Sequence, residues 1–256
     1  PELDVGAPMD AAERLRDLPG RAVLESARPG RNARWTYLSA DPVAVLEAPA
    51  AGPDVFATAR RVLGRLTAAP LAIPDAPPFT GGLAGYLSYD LGRHLERLPS
   101  RAVADQELPI LRLALHDWVV AWDRRSGHAW LAGRALDERV GRLDARLAEV
   151  RTRLLGGGGR PPGHATEPPA GFEFRSGLGR AAYEAGVEAI RGEIEHGDIY
   201  QANLTRRLES PFRGDPWPLY RRLRTGDPAL FAAFLDLGPS PVTGAPRAIE
   251  ILSMRR

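Results

Sequence analysis

The chain has 256 residues and a formal net charge of +2, with 44% hydrophobic and 26% charged residues, a composition typical of a globular protein. It contains no cysteine, which excludes disulfides, thiol nucleophiles and cysteine-ligated metals. Lysine is absent too, so all 34 basic residues are arginine. They sit beside acidic residues throughout and form no nucleic-acid patch. No apolar run reaches the ~20 residues that span a bilayer, and residues 1–4 lack a signal-peptide pattern, so we expect a cytoplasmic protein without a membrane segment.

The first part of the chain predicts strands and turns. Residues 21–27 read as a strand that ends in polar groups, residues 29–32 as a turn, and residues 35–38 as an aromatic second strand. A third short strand is expected at residues 43–46. Residues 53–54 then open a helix with one apolar stripe, made of Val55, Ala59, Val62 and Leu66.

Residues 79–90 are rich in glycine. Such a stretch can cradle a phosphate, but the strand-glycine-helix context of a nucleotide loop is missing. We therefore predict a strand whose glycines allow close approach of another backbone.

Alternating leucines at 111–115 and the apolar run at 118–122 predict two further strands, and a turn at 123–127 returns the chain into another. A long amphipathic helix is predicted from Leu136 to Leu154, with Asp137 and Glu138 in its first turn. The Gly/Pro-rich residues 156–170 read as a linker. We thus expect an N-terminal domain at 1–155. The five histidines are dispersed, and none has metal-ligand spacing.

After the linker, an apolar stripe predicts a helix that stops at Gly197; the stripe is Tyr183, Val187, Ile190 and Ile194. Residues 198–205 then alternate with period two and predict a strand. One face is apolar and the other carries Gln201, Asn203 and Thr205. Buried polar groups need partners, so this face meets a ligand or a structural network, and the spacing alone favours the network.

The stretch Gly197-Asp198-Ile199-Tyr200-Gln201-Ala202-Asn203-Leu204-Thr205 resembles the signature of chorismate-utilising enzymes, specifically aminodeoxychorismate synthase component I. Anthranilate synthase component I is similar. The resemblance implies an α+β fold, a mixed α/β sandwich of the anthranilate synthase component I type, here with an incomplete C-terminal lobe. Within the signature, Gly197, Asp198, Tyr200, Gln201 and Asn203 are the candidate site residues.

The resemblance also implies an activity. This family aminates chorismate to 4-amino-4-deoxychorismate on the route to 4-aminobenzoate and folate. It uses Mg²⁺ and ammonia from a glutamine amidotransferase partner. Two alternatives stay open: anthranilate synthesis, and a non-catalytic remnant that binds an aromatic amino acid or the amidotransferase.

A second candidate site lies near the N-terminus. Leu24-Glu25-Ser26 resembles the segment with which the family binds tryptophan, and Phe231 falls in a segment that closes over that pocket. The spacing alone favours a solvated strand end for Glu25 and Ser26. Residues 227–238 predict a turn and a strand, after a short helix begun by Pro216.

The resemblance breaks near the end of the chain. Residues 171–238 resemble the first segment of the chorismate-binding domain, whereas residues 239–256 resemble a much later segment of the same domain. In the later segment, Thr243 and Gly244 match a substrate-side motif, and residues 248–256 predict a helix. We therefore predict an internal deletion of the catalytic middle. The family's lysine and its magnesium-binding glutamates fall in that region. Arginine cannot replace a lysine nucleophile because it stays protonated, so no metal site and no turnover are expected of this chain.

Overall fold

The computed structural model describes residues 4–48, 54–67, 75–99, 105–106, 108–156, 173–212, 214–241, 244 and 246–252. They divide into two units. The first, called the sandwich unit, comprises the described residues of 4–156 and 216–252. The second, the helical unit, comprises the described residues of 173–215. The predicted linker at 156–170 lies, except for Gly156, outside the described residues. No helix in the described ranges has the length and apolar character needed to cross a bilayer.

The sandwich unit contains most of the regular structure. Its elements are α1 (Pro8–Arg14), β1 (Ala22–Glu25), β2 (Trp35–Ser39), β3 (Ala44–Ala48), α2 (Val55–Leu63), β4 (Gly82–Leu87), a 3₁₀ helix (Tyr89–His94), β5 (Leu111–His116), β6 (Trp118–Asp123), β7 (Ala129–Gly133) and α3 (Val140–Leu155). The helical unit contributes β8 (Arg175–Ser176), α4 (Arg180–His196) and β9 (Leu208–Glu209). The sandwich unit resumes with α5 (Pro216–Gly226), β10 (Ala232–Pro239) and β11 (Pro246–Leu252).

Two antiparallel sheets form the sandwich. The larger has the strand order β11-β10-β1-β2-β6-β7, and the smaller has the order β3-β5-β4. The chain passes between them at Asp117, which separates β5 from β6. Helices α1, α3 and α5 cover one face of the larger sheet with a shared apolar core that includes Val23, Leu38, Trp118 and Phe234. On the opposite face, Ala22 and Leu235 lie against Tyr86 of β4.

Several local predictions are confirmed. The helix predicted after Asp54 is α2, and the Asp54 carboxylate accepts hydrogen bonds from the backbone N–H groups of Phe56 and Ala57, as an N-cap does. The glycine-rich stretch is strand β4. A Cβ at Gly85 would lie 1.9 Å from the carbonyl oxygen of Arg112 on β5, so glycine is required there by close backbone approach. Helix α1 was not predicted; its buried residues are Met9, Ala11 and Ala12.

The predicted start of the long helix is wrong. Helix α3 begins at Val140, because Leu136 instead pairs with Leu66 in an isolated β-bridge. Asp137 and Glu138 have φ angles of +49° and +60°, which a helix does not accommodate. The Asp137 carboxylate is held by Arg65 at 2.7 Å.

In the helical unit, the predicted helix is confirmed as α4. Gly197 ends it with φ +83°, and the N–H groups of Gly197 and Asp198 donate to carbonyls of the last turn. The predicted strand at 198–205 is wrong, since these residues have no strand pairing and β9 follows only at Leu208. Leu204 packs instead against Gly186 of α4. None of the α4 side chains is buried, and Tyr183, Val187 and Ile194 of its apolar stripe are exposed.

The helix predicted at 248–256 is also wrong over its described part. Residues 246–252 form β11, which pairs with β10 from Ala232↔Leu252 to Pro239↔Pro246. The period-two pattern of Ala248, Ile249, Glu250 and Ile251 fits this edge strand. The hairpin of β10 and β11 runs across the boundary predicted between residues 238 and 239. Helix α5 and strand β10 belong to the sandwich unit and not to the unit that contains α4. The mixed α/β sandwich itself is confirmed.

Candidate functional site

The end of β1 places an aromatic surface on the face of the larger sheet that is turned away from α5. In this sheet Leu24 pairs with Tyr37 on one side and with Ala233 on the other. The same register continues beyond β1, because the N–H of Arg28 donates to the carbonyl of Ala229. Ser26 therefore lies between Trp35 and Phe231. We call this surface the aromatic patch; its residues are Leu24, Ser26, Trp35, Tyr37 and Phe231.

Stacked rings give the patch its shape. The ring centroids of Trp35 and Tyr37 are 6.2 Å apart with an interplanar angle of 18°, and Phe79 meets Tyr37 edge-on at 5.8 Å. The guanidinium of Arg34 lies 4.8 Å from the Trp35 centroid, within cation–π range. Phe231 is 53% exposed. The patch therefore offers an aromatic surface that is partly exposed, most of all at Phe231.

Ser26 is the buried polar group at the centre of the patch. Its hydroxyl donates to the carbonyl of Trp35 at 3.2 Å, and its own carbonyl accepts a hydrogen bond from the Arg124 guanidinium. A hydroxyl has two acceptor lone pairs besides its donor. The Ser26 hydroxyl therefore retains acceptor capacity.

Glu25 does not belong to this surface. Neighbouring strand residues face opposite sides of a sheet, and Glu25 projects toward α5. Its buried carboxylate accepts a hydrogen bond from the Tyr220 hydroxyl at 2.5 Å and two from Arg224 at 2.7 Å. Burial, followed by the charge of Glu25, raises the pKa of Tyr220. The prediction that Leu24, Glu25, Ser26 and Phe231 share one pocket is corrected. Leu24, Ser26 and Phe231 lie on the patch, whereas the Glu25 carboxylate is hydrogen-bonded to α5 on the other face of the sheet.

An ion pair between a buried aspartate and a partly exposed arginine lies beside the patch. The Asp123 carboxylate at the end of β6 is paired with Arg34 at 2.7 Å, and hydrogen bonding from Arg34 lowers the pKa of Asp123. The same arginine lies over Trp35. Burial raises the pKa of the Tyr37 hydroxyl to about 12, so Tyr37 is neutral at physiological pH. The sequence analysis predicts Trp35 and Tyr37 only as strand residues. The alternation of side chains around Leu24 is the signal that could have predicted their position on the patch.

The signature residues lie in the helical unit and do not form a polar strand face. Gln201 and Asn203 are exposed, and Tyr200 is 91% exposed. An open groove in this unit combines α4 with the signature segment; it is lined by Arg180, Tyr183, Glu184, Leu204 and Arg206. The Arg180 guanidinium is already paired with Glu184 at 2.7 Å. Because these side chains are exposed, the structure does not assign a function to the signature, and its role stays a prediction.

The two candidate residues near the end of the chain separate as well. Thr243 lies outside the described residues. Gly244 has φ +69°, and its N–H donates to the carbonyl of Ser240 at 2.9 Å, so it forms part of the turn between β10 and β11.

The Mg²⁺ implied by the resemblance stays a prediction. Among the described residues no group of three His, Asp or Glu side chains converges, but Mg²⁺ is commonly held by one or two carboxylates together with water and substrate. The buried carboxylates of Glu25 and Asp123 are each neutralised by an arginine.

The fold is a two-sheet α/β sandwich, and the match of a family model defines the class of this protein. The chorismate binding enzyme model matches residues 21–246. The chain therefore belongs to the chorismate binding enzyme family.

Relatives within the family carry two different activities. Anthranilate synthase component 1 of Thermus thermophilus is 38% identical over 167 residues, which cover 64% of this chain and 35% of that protein. Aminodeoxychorismate synthase component 1 of Klebsiella aerogenes is 32% identical over 168 residues, 64% of this chain and 34% of that protein. The crystal structure of anthranilate synthase component I from Streptococcus pneumoniae has a TM-score of 0.64 at 19% identity and covers 92% of this chain and 56% of that one, which shows a shared fold.

The chain spans from about a third to about half of the length of the curated relatives that it matches. The longer alignments run over 259 to 264 residues and take in more than nine-tenths of this chain. These alignments do not show a truncation, and the predicted internal deletion stays a prediction.

Proposed function

We propose that this chain is the amino-acid-binding part of component I of a chorismate-aminating enzyme. The observation that carries the proposal is the aromatic patch, where Ser26 offers hydrogen-bond acceptors between Trp35 and Phe231. An indole or phenyl ring would lie against the aromatic side chains, and the ammonium group of an amino acid would donate to Ser26. Rings of this kind gain both from burial and from stacking. Tryptophan is the ligand that the family resemblance favours.

Two products remain candidates for the amination. Tyr200-Gln201-Ala202-Asn203 favours 4-amino-4-deoxychorismate, because this form of the signature is typical of aminodeoxychorismate synthase. The higher identity to an anthranilate synthase, 38% against 32%, favours anthranilate. In either case Mg²⁺ and ammonia from an amidotransferase subunit are the proposed requirements.

We further propose that this chain alone does not turn over chorismate. The family resemblance implies a lysine at the chorismate ring, and the chain has none. Incubation with chorismate, Mg²⁺ and ammonium, followed by chromatography for anthranilate and 4-amino-4-deoxychorismate, tests this directly. No product is expected. Steady formation of either compound would overturn the requirement for lysine and would also identify the activity.

Calorimetric titration tests amino-acid binding separately. We expect L-tryptophan to release heat with 1:1 stoichiometry and L-alanine to release none. Phe231→Ala should weaken binding, since it removes an exposed ring from the patch. Phe174→Ala is the matched control, because Phe174 is an exposed phenylalanine of the helical unit. The proposed role would be rejected by the absence of heat with millimolar tryptophan and folded protein.

A further inference from the structure

A small cavity lies between the two sheets of the sandwich unit, away from the aromatic patch. Its volume is about 10 Å³, which is the space that one water molecule requires. Strands β4 and β5 line it from the smaller sheet, and β1 and β10 line it from the larger one. His116 and Arg112 are the polar side chains that β5 contributes to this lining.

The hydrogen bonds of Ser39 determine which nitrogen of His116 carries the proton. The Ser39 hydroxyl donates its one proton to the carbonyl of Trp118 at 2.7 Å. Its oxygen also lies 2.8 Å from Nδ1 of His116. Because the hydroxyl proton is already used, Nδ1–H must be the donor in this second contact. In the neutral ring, Nε2 is then an acceptor.

The imidazole also interacts with the backbone carbonyl of Ala40, but a carbonyl oxygen only accepts, so the acceptor nitrogen Nε2 has no donor among the described residues. Nε2 of His116 is buried without a hydrogen bond, and the residue is only 1% exposed. The nearby guanidinium of Arg112 is directed elsewhere, to Glu47 at 2.9 Å and to the carbonyls of Asp236 and Leu237. Leaving such a group unsatisfied is unfavourable.

We propose that this cavity is a hydration site that holds one ordered water molecule, which donates a hydrogen bond to Nε2 of His116. The cavity has the size for one water, and the buried imidazole supplies an acceptor that no group in the described ranges satisfies. A water that donates to Nε2 would stabilise the Nδ1–H tautomer. The ligand is solvent, so this site is independent of the proposed amino-acid binding.

NMR of the uniformly ¹⁵N-labelled chain tests both parts of the proposal without a variant. Long-range ¹H–¹⁵N correlations should identify Nδ1 of His116 as protonated and Nε2 as unprotonated. A cross-peak between a long-lived water and the His116 ring protons should be present. The exposed His128 is the internal control and should show no such cross-peak.

A crystal structure at a resolution that shows ordered waters provides the second measurement. Density within hydrogen-bonding distance of Nε2 is expected for the wild type and should be lost in His116→Phe. A protonated Nε2, or the absence of both the cross-peak and the density, would overturn the proposal. Loss of fold in His116→Phe would not affect the wild-type measurements.

Discussion

Acidification should destabilise the sandwich unit through one residue, His116. Its imidazole is 1% exposed, and burial lowers its pKa from 6.5 to about 4. Arg112 and Arg146 oppose its protonation as well. The unfolded chain therefore binds a proton at a pH where the folded chain does not. Stability from this group is fully present above pH 6.5, falls as the pH drops below that value, and is lost by about pH 4.

The size of the effect follows from the two pKa values. One pKa unit corresponds to about 1.4 kcal/mol, so a shift from 6.5 to about 4 corresponds to roughly 3 kcal/mol in total. Between pH 7 and pH 5, linkage gives a loss of about 2 kcal/mol in the free energy of unfolding. That is a substantial fraction of the ~5–15 kcal/mol by which a typical domain is stable.

Urea unfolding at pH 7 and pH 5 checks this prediction, with His116→Asn as the comparison. Asparagine retains an N–H donor near the position of Nδ1 but does not titrate. Other titrating groups, including Asp117 and Glu250, are present in both proteins and cancel in the difference. We expect the wild type to lose about 2 kcal/mol more than the variant. Equal losses would refute the reasoning, because His116 would then contribute nothing to the pH dependence.

Three further predictions concern other parts of the sandwich unit. Gly85→Ala should cost about 2–3 kcal/mol in urea unfolding, because its Cβ would meet the Arg112 carbonyl, whereas Gly141→Ala, with nothing within 4 Å, should not destabilise the chain. Glu25→Gln should cost about 2 kcal/mol by the same measurement, since Arg224 and Tyr220 lose a buried charged acceptor; Glu188→Gln, which weakens an exposed pair with Arg191, should change stability by less than about 0.5 kcal/mol. Burial raises the pKa of Glu250 to about 7. The contribution of Glu250 to stability is therefore present at low pH and is lost as the pH rises through 7. Thermal unfolding from pH 5 to 8 should show Glu250→Gln to be more stable relative to the wild type at the alkaline end, and parallel curves for the two proteins would contradict this.

Strong local signals made several elements predictable from the sequence. Asp54 caps α2 and Gly197 ends α4 as their chemistry dictates, and β4 needs its glycines. The segment 198–205 shows the limit of such signals. Its alternation is real, but a strand forms only where another strand offers a ladder, and no partner is present for it among the described residues of the helical unit. The opposite error occurred at 246–252, where a presumed match to a later family segment overrode a period-two pattern that predicts a strand.

The position of Glu25 was available from the sequence through the same period-two rule. Leu24 and Ser26 share one face of β1, and Glu25 must face the other. The structure adds what alternation alone does not give, namely that Arg224 and Tyr220 of α5 occupy the carboxylate. Ser26 and Glu25 therefore lie on opposite faces of one strand end: Glu25 holds β1 against α5, and under the proposed function Ser26 would contact the ligand. A change at Ser26 should thus alter ligand affinity directly, whereas a change at Glu25 can alter it only by moving the strand.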